Sequence, residues 1–360
     1  MTAPASRIPV AVLGATGQVG QRFLSLLAGH PWFEVRAVTA SQRSAGRRYA
    51  DAVRWTLPAP IPEPVRDLVL ADTEPEAACG CPLAFSALDA AAAEVAEARF
   101  ADAGVAVVSN ARNHRMDPDV PLVVPEVNPD HLALARTQRY GAGPSGRGMI
   151  LTNPNCATIG LVLALAPLER AFGLERVHAV TLQALSGAGF PGVPSLLAVD
   201  NVVPWIAGEE EKLETEPRKI LGRFTGGAIE PHPVAISAAC NRVPVVDGHL
   251  VCSSVKLARP AGLDAVRAAW TEFRGRPQQL GLPSAPDPPL VVLDGDDVPQ
   301  PRLHRDLGGG MAVSVGRLRP CPLLDFRFVA LSHNTVRGAA GGAILLGELA
   351  VAEGLIGGAT

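Results

Sequence analysis

The stretch Ile8-Pro-Val-Ala-Val-Leu-Gly-Ala-Thr-Gly-Gln-Val-Gly20 carries the decisive signal. Its first six residues form an apolar run without polar alternation, as expected of a strand buried on both faces. The glycines at 14, 17 and 20 then make a G-x-x-G-x-x-G turn that opens a helix. Backbone N–H groups at such a helix start can meet a pyrophosphate, and the missing Cβ atoms let it approach. Working outward, Phe23, Leu24, Leu26 and Leu27 line one side of the helix, which Gly29-His-Pro31 stops. Phe33–Thr39 reads as the next strand, and 83–88, 105–109 and 122–124 as further short ones, with an Ala-rich helix over 90–103. Strand and helix alternate, which predicts a parallel sheet covered by helices on both faces.

The texture changes near residue 150. A Gly/Ser/Arg loop over 139–148 leads to Asn153-Pro-Asn-Cys156, and a strongly apolar helix follows over 157–172. Strand-like segments then dominate, at 177–185, 242–246, 250–257, 290–293, 311–318 and 326–331, before a final helix over 338–353. Few helices and long strands predict an α+β second domain with a mostly antiparallel sheet.

With 360 residues, the chain suits about two domains at roughly 150 residues each. A net charge of −3 and an aromatic content of 4% give little support for phosphate neutralisation or base stacking, so nucleic acid is excluded as a partner. The apolar stretch over 157–168 contains Pro167 and is shorter than the ~20 residues of a membrane span. The N-terminus shows no export signal. Six cysteines are too few for a disulfide framework. The pair Cys79-Gly-Cys81 lacks zinc spacing, so no metal is expected. The expectation is a cytoplasmic protein with a small-molecule substrate.

Three positions suggest chemistry. After the second strand comes Ser41-Gln-Arg-Ser44, where an NAD site would usually place an acid. Arg43, flanked by hydroxyls, suits a 2′-phosphate, and the reading is NADP(H). Cys156 stands directly before a helix, whose N-terminal dipole would lower its pKa. His249 is the candidate base. Asn241-Arg-Val-Pro-Val-Val-Asp-Gly-His249 reads as a strand, an Asp-Gly hairpin turn and a returning strand. A two-residue turn would set Val246 opposite His249 and Arg242 opposite Ser253, with His249 and Arg242 on one face. The run Glu209-Glu-Glu-Lys212 opens a charged helix whose plain reading is a solvated face.

These motifs coincide with a known pattern. The chain resembles the aspartate-β-semialdehyde dehydrogenases, in particular their archaeal and fungal branch. The resemblance runs through Gly14–Gly20, Ala40–Gly46, Ser109–Met116, Asn153–Thr158, Gln183–Gly189, Glu209–Lys212, Arg242–His249 and His333–Gly338. It implies a Rossmann-like NADP-binding domain over 1–153, completed by a C-terminal helix over 336–360. A glyceraldehyde-3-phosphate-dehydrogenase-like catalytic and dimerisation domain would span 154–335. Cys156 would be the nucleophile, His249 the acid/base, and Gln183 would position the acyl intermediate. Substrate would meet Arg242 at its carboxylate and Glu209 at its ammonium, with Arg115 and Lys212, and Asn110 nearby, at the phosphate; Asn155 would be a further substrate-binding residue. Cofactor contacts are implied at Gly14, Ala15, Thr16, Gly17, Gln18, Val19, Ser41, Arg43, Ser44, Ser86, Ser186, Gly187 and Asn334. The implied reaction is NADPH-dependent reductive dephosphorylation of L-aspartyl-4-phosphate by a homodimer or homotetramer. Two paralogous readings share the Cys/His pair: an acyl-CoA reductase such as a malonyl-CoA reductase, and a secondary-pathway semialdehyde dehydrogenase. A non-enzymatic NADP sensor would make Cys156 and His249 idle.

Overall fold

The computed structural model describes residues 4, 6–78, 80–143 and 146–357. Cys79, two residues of the 139–148 loop, and the extreme ends of the chain lie outside the described residues. The first sheet comprises β1 (Ile8–Leu13), β2 (Phe33–Ala40), β3 (Ala71–Asp72), β4 (Leu83–Ser86), β5 (Ala106–Ser109) and β6 (Met149–Thr152). They are ordered β3-β2-β1-β4-β5-β6, every pair parallel. Side chains alternate across β1 as the pleat requires. Val10 and Val12 pack with Phe23 and Leu24 of α1 (Gln18–Leu27), whereas Ala11 and Leu13 pack with Phe100 and Ala101 of α2 (Ala90–Asp102). The chain order reverses between β1 and β4, which opens a crevice at their carboxyl ends.

Helix α3 (Cys156–Phe172) is buried on all sides from Ala157 to Leu168, in keeping with its unbroken apolar sequence. It packs on a second sheet made of β7 (Leu174–Gln183), β8 (Ala235–Arg242), β9 (His249–Leu257), β10 (Leu290–Leu293), β11 (Val313–Pro320) and β12 (Phe326–Ser332). Their order is β8-β7-β9-β12-β11-β10, antiparallel across its middle and parallel at each edge. Helix α4 (Glu209–Ile220) lies beside β8, and α5 (Leu263–Thr271) ties to α3 through Trp270 Nε1–H and the Ala164 carbonyl at 2.8 Å. The last helix, α6 (Gly341–Ala352), returns to the first sheet, where Ile344, Leu345 and Leu349 share a core with Val10 and Phe85.

Two expectations are corrected. Residues 122–124 form no strand: Pro121 and Pro125 bracket them, and the Asn128 side chain bonds Val124 N–H and the Leu122 carbonyl. The hairpin joining Arg242 to His249 is also absent. Arg242 ends β8, which runs parallel to β7, so β7 separates it from β9. Residues 243–248, interrupted by Pro244, pass over the end of β7 and bond Leu185 and Ser186 N–H instead.

A fully buried bidentate pair between Arg337 and Glu126 anchors the single π-helical turn Val336–Ala340 before α6. That turn sets Gly338 against the start of α3, where a Cβ would lie 2.8 Å from Cys156 Cβ. Glu126→Ala strands a buried guanidinium, with an expected loss of about 3–5 kcal/mol. Chemical denaturation measures this, and a loss below about 1 kcal/mol would contradict the anchoring role.

Candidate active site

Cys156 is the first residue of α3, and Asn155 is its cap. Asn155 Oδ1 accepts the N–H groups of Ala157 and Thr158 at 3.0 and 3.3 Å. His249, the first residue of β9 and wholly buried, brings Nε2 to 3.3 Å from Cys156 Sγ. Its Nδ1 accepts the Ala184 N–H at 3.0 Å. The neutral ring therefore carries its proton on Nε2, facing the sulfur. Although no hairpin joins them, Arg242 and His249 converge from opposite sides of β7. A Cβ on Gly187 would lie 2.8 Å from Arg242 Nη1 and 3.2 Å from His249 Nε2, so the bare glycine admits both. Arg242 Nη1 is fixed on the Ala184 carbonyl at 2.7 Å.

Helix α4 supplies the charges. Glu209 takes both oxygens to Asn155 Nδ2 at 2.9–3.0 Å, one to Lys212 Nζ at 2.8 Å and the other to Gln183 Nε2 at 3.2 Å. Burial alone would raise its carboxyl pKa, but Lys212, Asn155 and Gln183 hold it below the ordinary value. Glu216, 2% exposed and absent from the sequence reading, bonds Arg115 Nη1 at 2.8 Å and Asn155 N–H at 2.7 Å. Arg115 Nη2 reaches the Asn110 carbonyl at 2.7 Å, and Asn110 Oδ1 accepts from Asn153 at 2.9 Å. Cys156, Asn110, Arg115, Asn155, Lys212, Gly187 and Asn334 line a cavity of about 340 Å³. Gln183 is buried below it, holding Glu209.

A second cavity of about 680 Å³ adjoins at Gln18, Val19, Leu88 and Gly189. Its floor is the crevice between β1 and β4. Gly14 has φ +72°, and a Cβ there would meet the Ala87 carbonyl oxygen at 2.9 Å; one on Gly20 would meet the Gly14 oxygen at 2.3 Å. Gly17 caps α1 with no side-chain bond, leaving the first N–H groups of the helix for a ligand. This bare, donor-rich cradle fits a dinucleotide pyrophosphate. Gly14, Thr16, Gly17, Gln18, Val19 and Ser41 line the cavity, with Arg54 and Thr73, which the sequence reading did not single out. Arg43 is exposed and Ser44 half-buried in the turn that begins at Ser41.

Two expected cofactor contacts face elsewhere. Ser86 is buried and donates to Glu97 Oε1 at 2.6 Å, because that buried carboxyl needs donors. Ala15 is buried, with its N–H on the Thr39 carbonyl and its own carbonyl on Tyr49 OH. Asn334 bridges Gly248 N–H and Ser186 Oγ at 2.8 Å each, joining the chain before His249 to the Ser186 loop.

The expected low thiol pKa is also corrected. Burial first, then the Glu209 charge, pushes Cys156 up to about 12, against the opposing pull of Arg115, Arg242 and Lys212. Burial, reinforced by Arg242, pushes His249 down to about 3. Both groups rest neutral, since one helix terminus offsets less than full desolvation costs. The thiolate fraction, and with it iodoacetamide alkylation of the ligand-free protein at Cys156, is expected to rise about tenfold per pH unit from pH 7 to 9. A plateau below pH 8 would contradict a neutral resting pair.

Comparison with known proteins fits this arrangement. The family model described as semialdehyde dehydrogenase, NAD binding domain, matches residues 9–135, and that for the semialdehyde dehydrogenase dimerisation domain matches 165–337. The aspartate-semialdehyde dehydrogenase of Methanothermobacter thermautotrophicus is 49% identical over 344 residues, covering 95% of this chain and 98% of that protein. That of Cryptococcus neoformans is 50% identical over 363 residues, covering 98% and 99%. Among solved structures, aspartate semialdehyde dehydrogenase with NADP from Candida albicans matches with a TM-score of 0.90 at 46% identity, over 97% of this chain and 100% of that one. The chain belongs to the aspartate-semialdehyde dehydrogenase family.

Proposed function

We propose that this chain reduces L-aspartyl-4-phosphate to L-aspartate 4-semialdehyde with NADPH through a thioester on Cys156, in the route to lysine, methionine and threonine. The observation that carries the mechanism is the 3.3 Å approach of Cys156 Sγ to His249 Nε2, in a cleft continuous with the dinucleotide-sized cavity. Arg242 takes the substrate carboxylate. Glu209 takes the ammonium, which replaces Lys212 as its cation and frees Lys212 to join Arg115 at the phosphate.

Cys156 attacks the acyl carbon, the C–O bond to phosphate breaks, and the thiol proton leaves on the departing hydrogen phosphate. Gly14, Thr16, Gly17 and Gln18 would hold NADPH in the adjoining cavity, where it would supply a hydride to the thioester. His249 Nε2–H donates to the oxyanion that develops on the former carbonyl. When the C–S bond breaks, the aldehyde is released and the same N–H stabilises the returning thiolate until it is reprotonated. Asn155 and Gln183 keep Glu209 in place throughout.

The division of the chain at 153/154, with residues from 336 onward completing the cofactor domain, is part of this reading. So are a cytoplasmic location and a homodimer or homotetramer built through the second domain. The match to a dimerisation-domain model over 165–337 supports assembly through that part of the chain.

The test is phosphate-dependent reduction of NADP by aspartate semialdehyde, with succinate and malonate semialdehydes alongside. The expected result is a preference for aspartate semialdehyde of at least about a hundredfold in kcat/KM, since Glu209 would otherwise lose its ammonium partner. Turnover only with a semialdehyde lacking the amino group, or only with coenzyme A in place of phosphate, would overturn it.

A further inference from the structure

Helix α4 carries Glu209, Lys212, Glu216 and Lys219 at spacings of three, four and three residues, which places them on one helical face. Lys212 lines the cleft already described, and Glu209 is buried behind it as its ion-pair partner. The other two reach the loop that carries Arg115. Lys219 Nζ donates to the carbonyls of Arg115, Asp117 and Val120 at 2.7–2.8 Å, fixing the backbone of that loop. Glu216 fixes the Arg115 side chain, and does so with only one of its two oxygens. The other holds the N–H of Asn155, one residue before the nucleophile.

We infer that Glu216 is a positioning residue that holds the anion-binding guanidinium of Arg115 and the Cys156 turn at a fixed separation. The assignment rests on the reading of Arg115 as a phosphate-binding residue. Among the described residues, Arg115 Nε has no hydrogen-bond partner, although Arg115 lines the cavity. Glu216 engages only Nη1 and so sets the place of the guanidinium without taking all of its donors, the unpartnered Nε being itself buried. No other carboxylate pairs with Arg115 among the described residues. An amide at 216 can accept one N–H and must turn its own NH₂ toward the second donor, so it cannot reproduce both contacts.

The experiment is steady-state kinetics in the direction of phosphate-dependent semialdehyde oxidation. In Glu216→Gln the KM for phosphate is expected to rise about tenfold or more. The KM values for aspartate semialdehyde and NADP are expected to stay within about twofold, because Arg242 and the glycine cradle are untouched and Glu209 keeps its side-chain bonds to Asn155, Lys212 and Gln183. In an Arg115→Ala background the same substitution is expected to change the phosphate KM by less than about twofold, since the two residues act as one unit. Glu216→Asp keeps the charge but shortens the reach, and is expected to raise the phosphate KM by a smaller factor; it serves if Glu216→Gln does not fold. An unmoved phosphate KM in a folded variant would overturn the assignment. So would a proportional loss in every parameter, or an undiminished effect in the Arg115→Ala background. Absence of phosphate-dependent turnover in the unaltered protein would overturn the underlying functional reading as well.

Discussion

Asn155 is the point on which the active site depends. Its Oδ1 caps the helix that begins with Cys156, its Nδ2 spans both oxygens of Glu209, and its N–H is held by Glu216. One residue therefore sets the start of α3 and the place of the carboxylate proposed to meet the substrate ammonium. Asn can do this because its amide offers an acceptor and two donors on one short, stiff side chain. Asp could cap the helix equally well, but it would face Glu209 with a second negative charge. The requirement is local, yet its partners come from α3, α4 and, through Gln183, the end of β7.

Burial governs the chemistry. The Cys156 thiol and the His249 ring are each favoured in their neutral forms, so Cys156 is not held as a stable thiolate. The surrounding charges are arranged for a substrate instead. Arg115 is matched by Glu216 and Lys212 by Glu209, while the Arg242 guanidinium leans on a backbone carbonyl. In the proposed reaction the substrate carboxylate would supply the countercharge that Arg242 lacks, and its ammonium would take the place of Lys212 on Glu209. Transition-state charge then develops among fixed dipoles rather than mobile solvent.

Much of this was legible in the sequence, and the failures have physical causes. The glycine spacing after an unbroken apolar run placed β1, α1 and the dinucleotide cradle, since few backbones other than a tight strand–helix turn need glycine at both 14 and 20. Asn-Pro-Asn before an apolar helix placed Cys156 at a capped N-terminus. The Asp247-Gly248 turn signal misled, because local turn chemistry cannot show that a distant strand, β7, is inserted between two neighbours in sequence. Strand β8, with Ser237, Ala238 and Ala239 at its centre, gives no apolar alternation, so only pairing with β7 defines it. Ser86 is implied as a cofactor contact by the resemblance alone, but a buried Glu97 eleven residues later claims its hydroxyl. Glu216 lay hidden in a run that reads as a solvated face; its burial comes from the Arg115 loop, a hundred residues away.

The covalent role of Cys156 is tested most directly by mass spectrometry of the intact protein incubated with aspartate semialdehyde and NADP in the absence of phosphate. Without phosphate to release the acyl group, one aspartyl group should accumulate as a thioester, mapped to the peptide containing Cys156 and absent when NADP is withheld. Stoichiometric NADPH formation with no adduct on Cys156, or with the acyl group on another cysteine, would contradict the account.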